Sequence, residues 1–187
     1  LGDVYKRQEF ADMLNIRFVF GEAKSVSKSW NDLYHKSVGD IIIMGNDDLI
    51  YRTSLWDLRI EKESERFRDE IYCMWMDDKI HENKQCAFPI VSRKWCETLG
   101  YFTPGIFKFG YNDAWVWDIA KRIDRCHWIP SVVAEHMHFT QGKSQTDDTY
   151  RRPRSDDTWS ADGETFASSE MVEKRMADAE KLRAVMR

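Results

Sequence analysis

The segment Asp40-Ile41-Ile42-Ile43-Met44 constrains this chain more than any other. It is a short apolar run rich in β-branched residues, of the kind buried on both faces of a parallel sheet. Gly39 precedes it and Gly45-Asn46-Asp47-Asp48 ends it. Upstream, Val26 to Lys36 carries Val26, Trp30, Leu33 and Tyr34 at helical spacing, which predicts an amphipathic helix. Ile16 to Phe20, closed by Gly21, reads as a strand. Strand, helix and strand with short joints make a βαβ unit, so the expected fold class is α/β, a mostly parallel sheet covered by helices.

The remaining elements continue that alternation. Ile71 to Met76 is a further strand with a turn at Asp77-Asp78, and Ala87 to Val91 is another, with Pro89 implying an edge or bulged position. Trp95 to Gly100 suggests a short helix that Gly100 caps. Asp113 to Arg122 reads as a strong helix, and Trp128 to Val133 as a strand running into His136-Met137-His138. Thr140 to Gly163 is polar and reads as a long loop. Glu164 to Arg187 is a closing helix with Val172, Met176, Ala179, Leu182 and Met186 on one face. The expected division is therefore a catalytic core over 9–139 and a loop with closing helix over 140–187. Residues 1–8 stand apart, because Asp3-Val4-Tyr5-Lys6-Arg7-Gln8 matches a translation of the transposase end used in sequencing libraries. They are expected to be non-native, and the chain to be cut at its front.

Composition removes several function classes. Charged residues are 32% of the chain, yet the formal net charge is only −4, and acids and bases alternate from Arg59 to Glu70. No basic stripe is present, so a nucleic-acid partner is not expected. The longest apolar run, Ile71 to Met76, falls far short of the ~20 residues a membrane helix needs. Cys73, Cys86, Cys96 and Cys126 form no Cys-x-x-Cys pair and are expected as reduced, mostly buried thiols of a cytoplasmic protein.

Three places can carry chemistry. Asn46-Asp47-Asp48 sits where an apolar strand ends, and open α/β sheets bind ligands outside the carboxyl ends of their strands. Adjacent acids there can hold a divalent cation that neutralises a diphosphate, although the same residues make ordinary turns. Asp113 opens a helix, where a carboxylate can serve as general base or simply as a cap. His136 and His138 lie two apart, so on an extended segment they point the same way and can share an ion or touch phosphate. An imidazole ligand shifts the preference from Mg²⁺ toward Mn²⁺. Trp56, Trp95, Trp115 and Trp117 are expected in packing rather than as sugar platforms.

In order, Ser29-Trp30-Asn31-Asp32-Leu33 and Gly39 through Asp48 resemble the family 2 glycosyltransferases, with an Asn-bearing helix, Gly-Asp, an apolar strand and an Asp-x-Asp motif. Phe88 to Arg93 with Leu99-Gly100-Tyr101-Phe102 is similar to the family's segment beneath the sugar site. Gly110-Tyr111-Asn112-Asp113 is similar to its Glu-Asp motif, and His136-Met137-His138 to its late metal-site histidine. The resemblance spans Ile16 to Phe139. It implies the GT-A fold and inverting transfer of a sugar from a nucleotide-diphosphate donor to a hydroxyl acceptor. Asp113 would be the base. Asp48, with His138 or His136, would hold Mn²⁺ or Mg²⁺, while Asn46, Asp47, Arg93 and Asn112 would line the donor. Two departures stand out: Asn46 replaces the first acid of Asp-x-Asp, and Asn112 replaces the acid beside Asp113. The resemblance also implies two strand–helix units before Ile16, on the order of 60 residues at ~30 per unit.

Two other readings use the same residues. A metal-dependent hydrolase or nuclease built on Asp47, Asp48, His136 and His138 would hydrolyse substrate without an acceptor. A non-catalytic nucleotide-sugar-binding remnant would bind without turnover.

Overall fold

The computed structural model describes residues 15–21, 25–144, 151 and 157–187. The adapter-like residues 1–8 lie outside the described residues. In chain order the elements are α1 (Val26–Lys36), β1 (Ile41–Ile43), β2 (Leu49–Tyr51), α2 (Trp56–Ser64), β3 (Cys73–Asp77) and β4 (Ile90–Ser92). They continue with α3 (Arg93–Leu99), α4 (Asn112–Arg122), β5 (Cys126–His136), a 3₁₀ turn (Phe139–Gln141), α5 (Thr158–Ala167) and α6 (Ser169–Val185).

The strands make one mixed sheet in the order β1-β4-β3-β5-β2. Among the described residues only β3 and β5 run parallel; β1 with β4, β3 with β4, and β2 with β5 are antiparallel. The fold is α/β, and the mostly parallel GT-A sheet that the resemblance implies is corrected to this mixed one. The connection lengths explain the difference. No helix crosses over between β3 and β4, so β4 returns antiparallel, whereas β5 follows α3 and α4 and can run with β3. Pro89 precedes β4 rather than marking an edge: β4 lies between β1 and β3, and the Pro89 carbonyl accepts the Met44 N–H at 3.0 Å.

Ile16–Phe20 does not become a strand. Phe20 is 77% exposed, no ladder reaches the segment, and the first βαβ unit is therefore not formed among the described residues. Apolar β-branched residues define a strand only where a partner offers backbone groups.

Two clusters of buried side chains cover the sheet. On one side Trp95, Phe102, Phe107, Trp115 and Ile119 pack with Ile71, Cys73 and Val91, and Ala179 and Leu182 of α6 complete this layer. On the other side Ile60 of α2 closes over Met74, Ile90, Ile129 and Val132. The closing helix predicted over Glu164–Arg187 is two helices that break at Ser168, whose hydroxyl accepts the Met171 N–H. The predicted loop over Thr140–Gly163 likewise ends early, because Thr158 already begins α5.

Trp95 and Trp115 are fully buried, Trp56 stacks on Tyr51 at 4.0 Å between centroids, and Trp117 packs edge-on against Trp75. These four are packing residues, as their surroundings in the sequence suggest. Cys73, Cys86 and Cys96 are buried free thiols and Cys126 is exposed. The Cys73 and Cys86 sulfurs lie 3.9 Å apart, well beyond the ~2.05 Å of a disulfide. No described helix is long and apolar enough to cross a membrane.

Candidate functional site

A cavity of about 500 Å³ opens where β1, β5, the loop after β3 and the start of α4 meet. That volume is within the ~300–1,000 Å³ usual for small-molecule sites. Asn46 and Asp47 reach it from the end of β1, His136 and His138 from the end of β5, and Asn112 and Asp113 from α4. The resemblance groups these six residues, and the fold brings them to one cleft.

The strand ends are built by a change of partner along β5. Residues Cys126 to Ile129 pair with β3, an irregularity follows between Met76 and Asp77, and then Ala134 to His136 pair with β2. The irregularity re-aims the strand and sets His136 opposite Leu49. There His136 Nε2 and Asp48 Oδ2 lie 3.0 Å apart. The His136 ring also packs edge-on against Phe88 and against His138, each at 4.9 Å between centroids. Its Nδ1 is buried and meets no hydrogen-bond partner among the described residues.

Asp48 does not itself line the cavity, while Asp47 does. Asp47 is exposed at the cavity wall, whereas Asp48 pairs with His136. Asp47 and Asp48 also form a turn, with the Leu49 N–H bonded to the Asn46 carbonyl at 3.3 Å, so the turn and the site are the same residues. β1 is an outer strand of the described sheet rather than a central one, but the acids do stand at its carboxyl end. Among the described residues no three His, Cys, Asp or Glu side chains gather closely enough to hold an ion. Asp48 and His136 supply two neighbouring ligand groups, fewer than an ion site needs by themselves. Mg²⁺-like sites commonly take few protein ligands and complete their shell from phosphate and water.

His138 caps the 3₁₀ turn. Its Nδ1 accepts the Thr140 N–H at 3.3 Å and lies 2.7 Å from the Thr140 hydroxyl. Arg93 is not at the cavity. Its Nε donates to the Gly39 carbonyl at 2.8 Å and its Nη2 to the Ser37 hydroxyl at 2.9 Å, while the guanidinium lies over the Tyr34 ring. The expectation that Arg93 binds donor is corrected: β4 carries it to the sheet's β1 side, where it ties down the end of α1.

Asn112 is buried, and its amide donates to the Phe109 and Gly110 carbonyls while its Oδ1 meets no partner among the described residues. Asp113 is half-buried in the first turn of α4. Burial pushes its carboxyl above the usual carboxylate range, and the opposing N–H groups of Ala114 and Asp113, the Gln85 side chain and the nearby His81 do not cancel that effect. A carboxyl so raised is a stronger base than a surface one.

Several cavity residues escape sequence reasoning. His81 and Gln85 come from the loop after β3, which looked like a plain turn. Asp78 holds that loop: its Oδ1 accepts the Ile80 and His81 N–H groups at 3.0 and 2.8 Å, and its Oδ2 lies 2.6 Å from His81 Nδ1. The doublet Asp77-Asp78 three residues before a histidine was the available signal. Trp159 of α5 forms a further wall, 47% exposed, against Phe109 and Tyr111 with ring centroids 5.8 Å away in each case. Its ring lies flush on Gly110, where an added Cβ would meet ring carbons at 3.2 Å. Asp162, one turn on, accepts the N–H groups of Lys108, Phe109 and Gly110. Across the cleft, Asn31 of α1 pins residues 102 and 103: its Oδ1 accepts both N–H groups and its amide donates to the Thr103 carbonyl.

Compared with protein-family models, curated proteins and solved structures, the chain matches none.

Proposed function

We propose that the cleft catalyses inverting glycosyl transfer from a nucleotide-diphosphate sugar to a hydroxyl acceptor. The observation that carries this reading is the single cleft shared by Asp113, a carboxyl made more basic by burial, and the polar strand ends bearing Asn46, Asp47 and His136. Displacement at an anomeric carbon needs a base on one side and stabilisation of a departing anion on the other. Asp113 removes the acceptor proton as its oxygen attacks. Asn46 and His136 face the leaving diphosphate, Asp47 stands beside them where a bound cation would have to offset its charge, and Asn112 positions hydroxyl groups between the two sides. Asp48 and His136 would hold a divalent Mn²⁺ or Mg²⁺, which when bound supplies neutralisation of the diphosphate charge. The family membership belongs to this proposal, as does the nucleotide-sugar partner.

The test is nucleotide release from a panel of nucleotide-diphosphate sugars with Mn²⁺ or Mg²⁺, with and without a mixture of simple glycoside acceptors. Acceptor-stimulated release that Asp113→Asn lowers by about 10²–10⁴-fold is the expected result. Release that needs no acceptor and survives Asp113→Asn would instead identify a hydrolase. Donor binding without release would identify a binding protein.

A further inference from the structure

The loop after β3 presents a second carboxylate–imidazole pair to the cleft, and the proposed reaction makes no use of it. Asp78 is buried, 4% exposed, and holds His81 by two contacts, the backbone N–H at 2.8 Å and Nδ1 at 2.6 Å, while it also accepts the neighbouring Ile80 N–H that shapes the turn. The Asp78 carbonyl also accepts the His136 N–H at 3.0 Å, so one residue ties this loop to the β5 wall. Trp75 adds a second anchor by donating from Nε1 to the Glu82 carbonyl at 3.0 Å. The first part of the loop, from Asp78 to Glu82, is thus fastened at two points. From the loop His81 and Gln85 both line the cavity beside Asp113, and Gln85 hydrogen-bonds the Asp113 carboxyl.

We infer that His81, oriented by Asp78, is the proton-accepting partner of Asp113 in this cleft. The inference rests on the glycosyl-transfer reading for its chemistry and on the loop geometry for its residues. A carboxylate accepting from Nδ1–H fixes the neutral imidazole in the tautomer that leaves the Nε2 lone pair available. In the reaction the acceptor O–H bond breaks, its electron pair forms the new bond to the anomeric carbon, and the old sugar–phosphate bond leaves with the diphosphate. The proton passes to the Asp113 carboxylate, then to His81 Nε2. The resulting imidazolium is stabilised by Asp78 and loses its proton to water, since the His81 side chain is 32% exposed. Asp113 returns to its ionised form without itself needing contact with bulk solvent. Among the described residues the other charged or titratable groups lining the cleft are Asp47 from the β1 turn, Tyr111 before α4, and His136 and His138 from β5, and the buried Cys86 thiol lies near Asp113. On the loop itself Lys79 pairs with Asp77, and Glu82 lies near Lys84.

Two measurements on the whole chain test this. Long-range ¹⁵N–¹H NMR should show His81 protonated at Nδ1 and bare at Nε2, and Asp78→Asn should abolish that preference. ¹³C NMR of labelled aspartate should show the Asp113 carboxyl titrating at higher pH in His81→Asn than in the unmodified chain, because the nearby His81, which acts to lower it, is removed. An Nε2–H tautomer in the unmodified chain, or an Asp113 titration unmoved by His81→Asn, overturns the inference. Absence of transfer with every donor would sink the glycosyl-transfer reading alone, since neither NMR measurement needs a donor. Where transfer is found, His81→Asn should narrow the pH–rate profile on its acid side, an effect that a merely structural loop residue would not have.

Discussion

Asp162 offers the sharpest test of how the cleft is built. It is 4% exposed, and its two oxygens accept three backbone N–H groups, from Lys108 at 3.0 Å, Phe109 at 2.8 Å and Gly110 at 2.9 Å. Hydrogen bonds to a charged group contribute about 1.5–3 kcal/mol each, and a buried donor left unmet costs about 1–3 kcal/mol. The three are not additive here. The Gly110 bond is buried and bears the full penalty, whereas those of Lys108 and Phe109 are partly buried and can recover water. Asp162→Ala should therefore cost about 3 kcal/mol, which is large for a single substitution. Asp162→Asn keeps one good acceptor oxygen. Placed on the Phe109 and Gly110 side it retains two bonds and turns its amide toward the Lys108 N–H, for a cost of about 1 kcal/mol. Urea unfolding followed by tryptophan fluorescence reads both. With a slope of about 2 kcal/mol per molar, the midpoint should fall by ~1.5 M for Asp162→Ala and ~0.5 M for Asp162→Asn, the slope unchanged. A cost below about 1 kcal/mol for Asp162→Ala, or equal costs for both variants, would refute the account of Asp162 as the clamp of this loop.

Asp113→Asn should raise stability while it lowers the proposed transfer, because burial lifts the Asp113 carboxyl and its ionised form is disfavoured in the fold. The gain should be absent at acid pH and grow as pH rises through the folded-state titration; a thermal-melt series across pH checks it. Asp78 has the opposite sign: burial works to raise its carboxyl, but the His81 N–H, the His81 imidazole and the Ile80 N–H outweigh it and hold the group low. Asp78→Asn should thus be destabilising above the unfolded-state carboxyl range, with the difference fading as pH falls through the folded-state value. Arg175 is 3% exposed, donates to Asp118 at 2.7 Å and to the Phe166 carbonyl at 2.9 Å, and lies 4.0 Å over the Phe166 ring. Arg175→Met should cost about 2 kcal/mol in chemical denaturation, below the usual ~3–5 for a broken buried pair, because Asp118 keeps Arg122 at 2.8 Å. Gly100 ends α3 at φ 84°, so Gly100→Ala should cost about 1 kcal/mol in the same assay.

The candidate site was legible in part because its residues are local signals. Asn46-Asp47 follows an apolar run, Asp113 opens a helix, and His136 and His138 alternate on a strand; each is visible within a few positions of its neighbours. Arg93 looked equivalent at that range and is not, since its guanidinium turns to Gly39 and Ser37. His81 and Trp159 left weaker traces. One sits in a loop that reads as a turn, and the other in a polar stretch whose apolar residues are too sparse to announce a helix.

What the sequence determined by itself is the identity of elements whose periodicity is complete within one segment. Helix α1 falls on Val26–Lys36 as its spacing predicts, α4 begins one residue before the expected Asp113, and β3 lies within a residue or two of its apolar run. What only the tertiary structure decided is partnership. Strand direction and order depend on connections and backbone donors far apart in the chain, so β4 moved from a supposed edge to the sheet interior. Ile16–Phe20, with strand-forming side chains and no ladder to join, stayed irregular and exposed. The cleft depends on the same long-range terms. A carboxylate at position 162 clamps backbone at 108–110, and Asp48 meets His136 across 88 positions of sequence. Hydrophobic periodicity acts over one or two turns of chain. Hydrogen-bond satisfaction in a buried interior is met by whichever groups the fold brings together, and no local pattern encodes it.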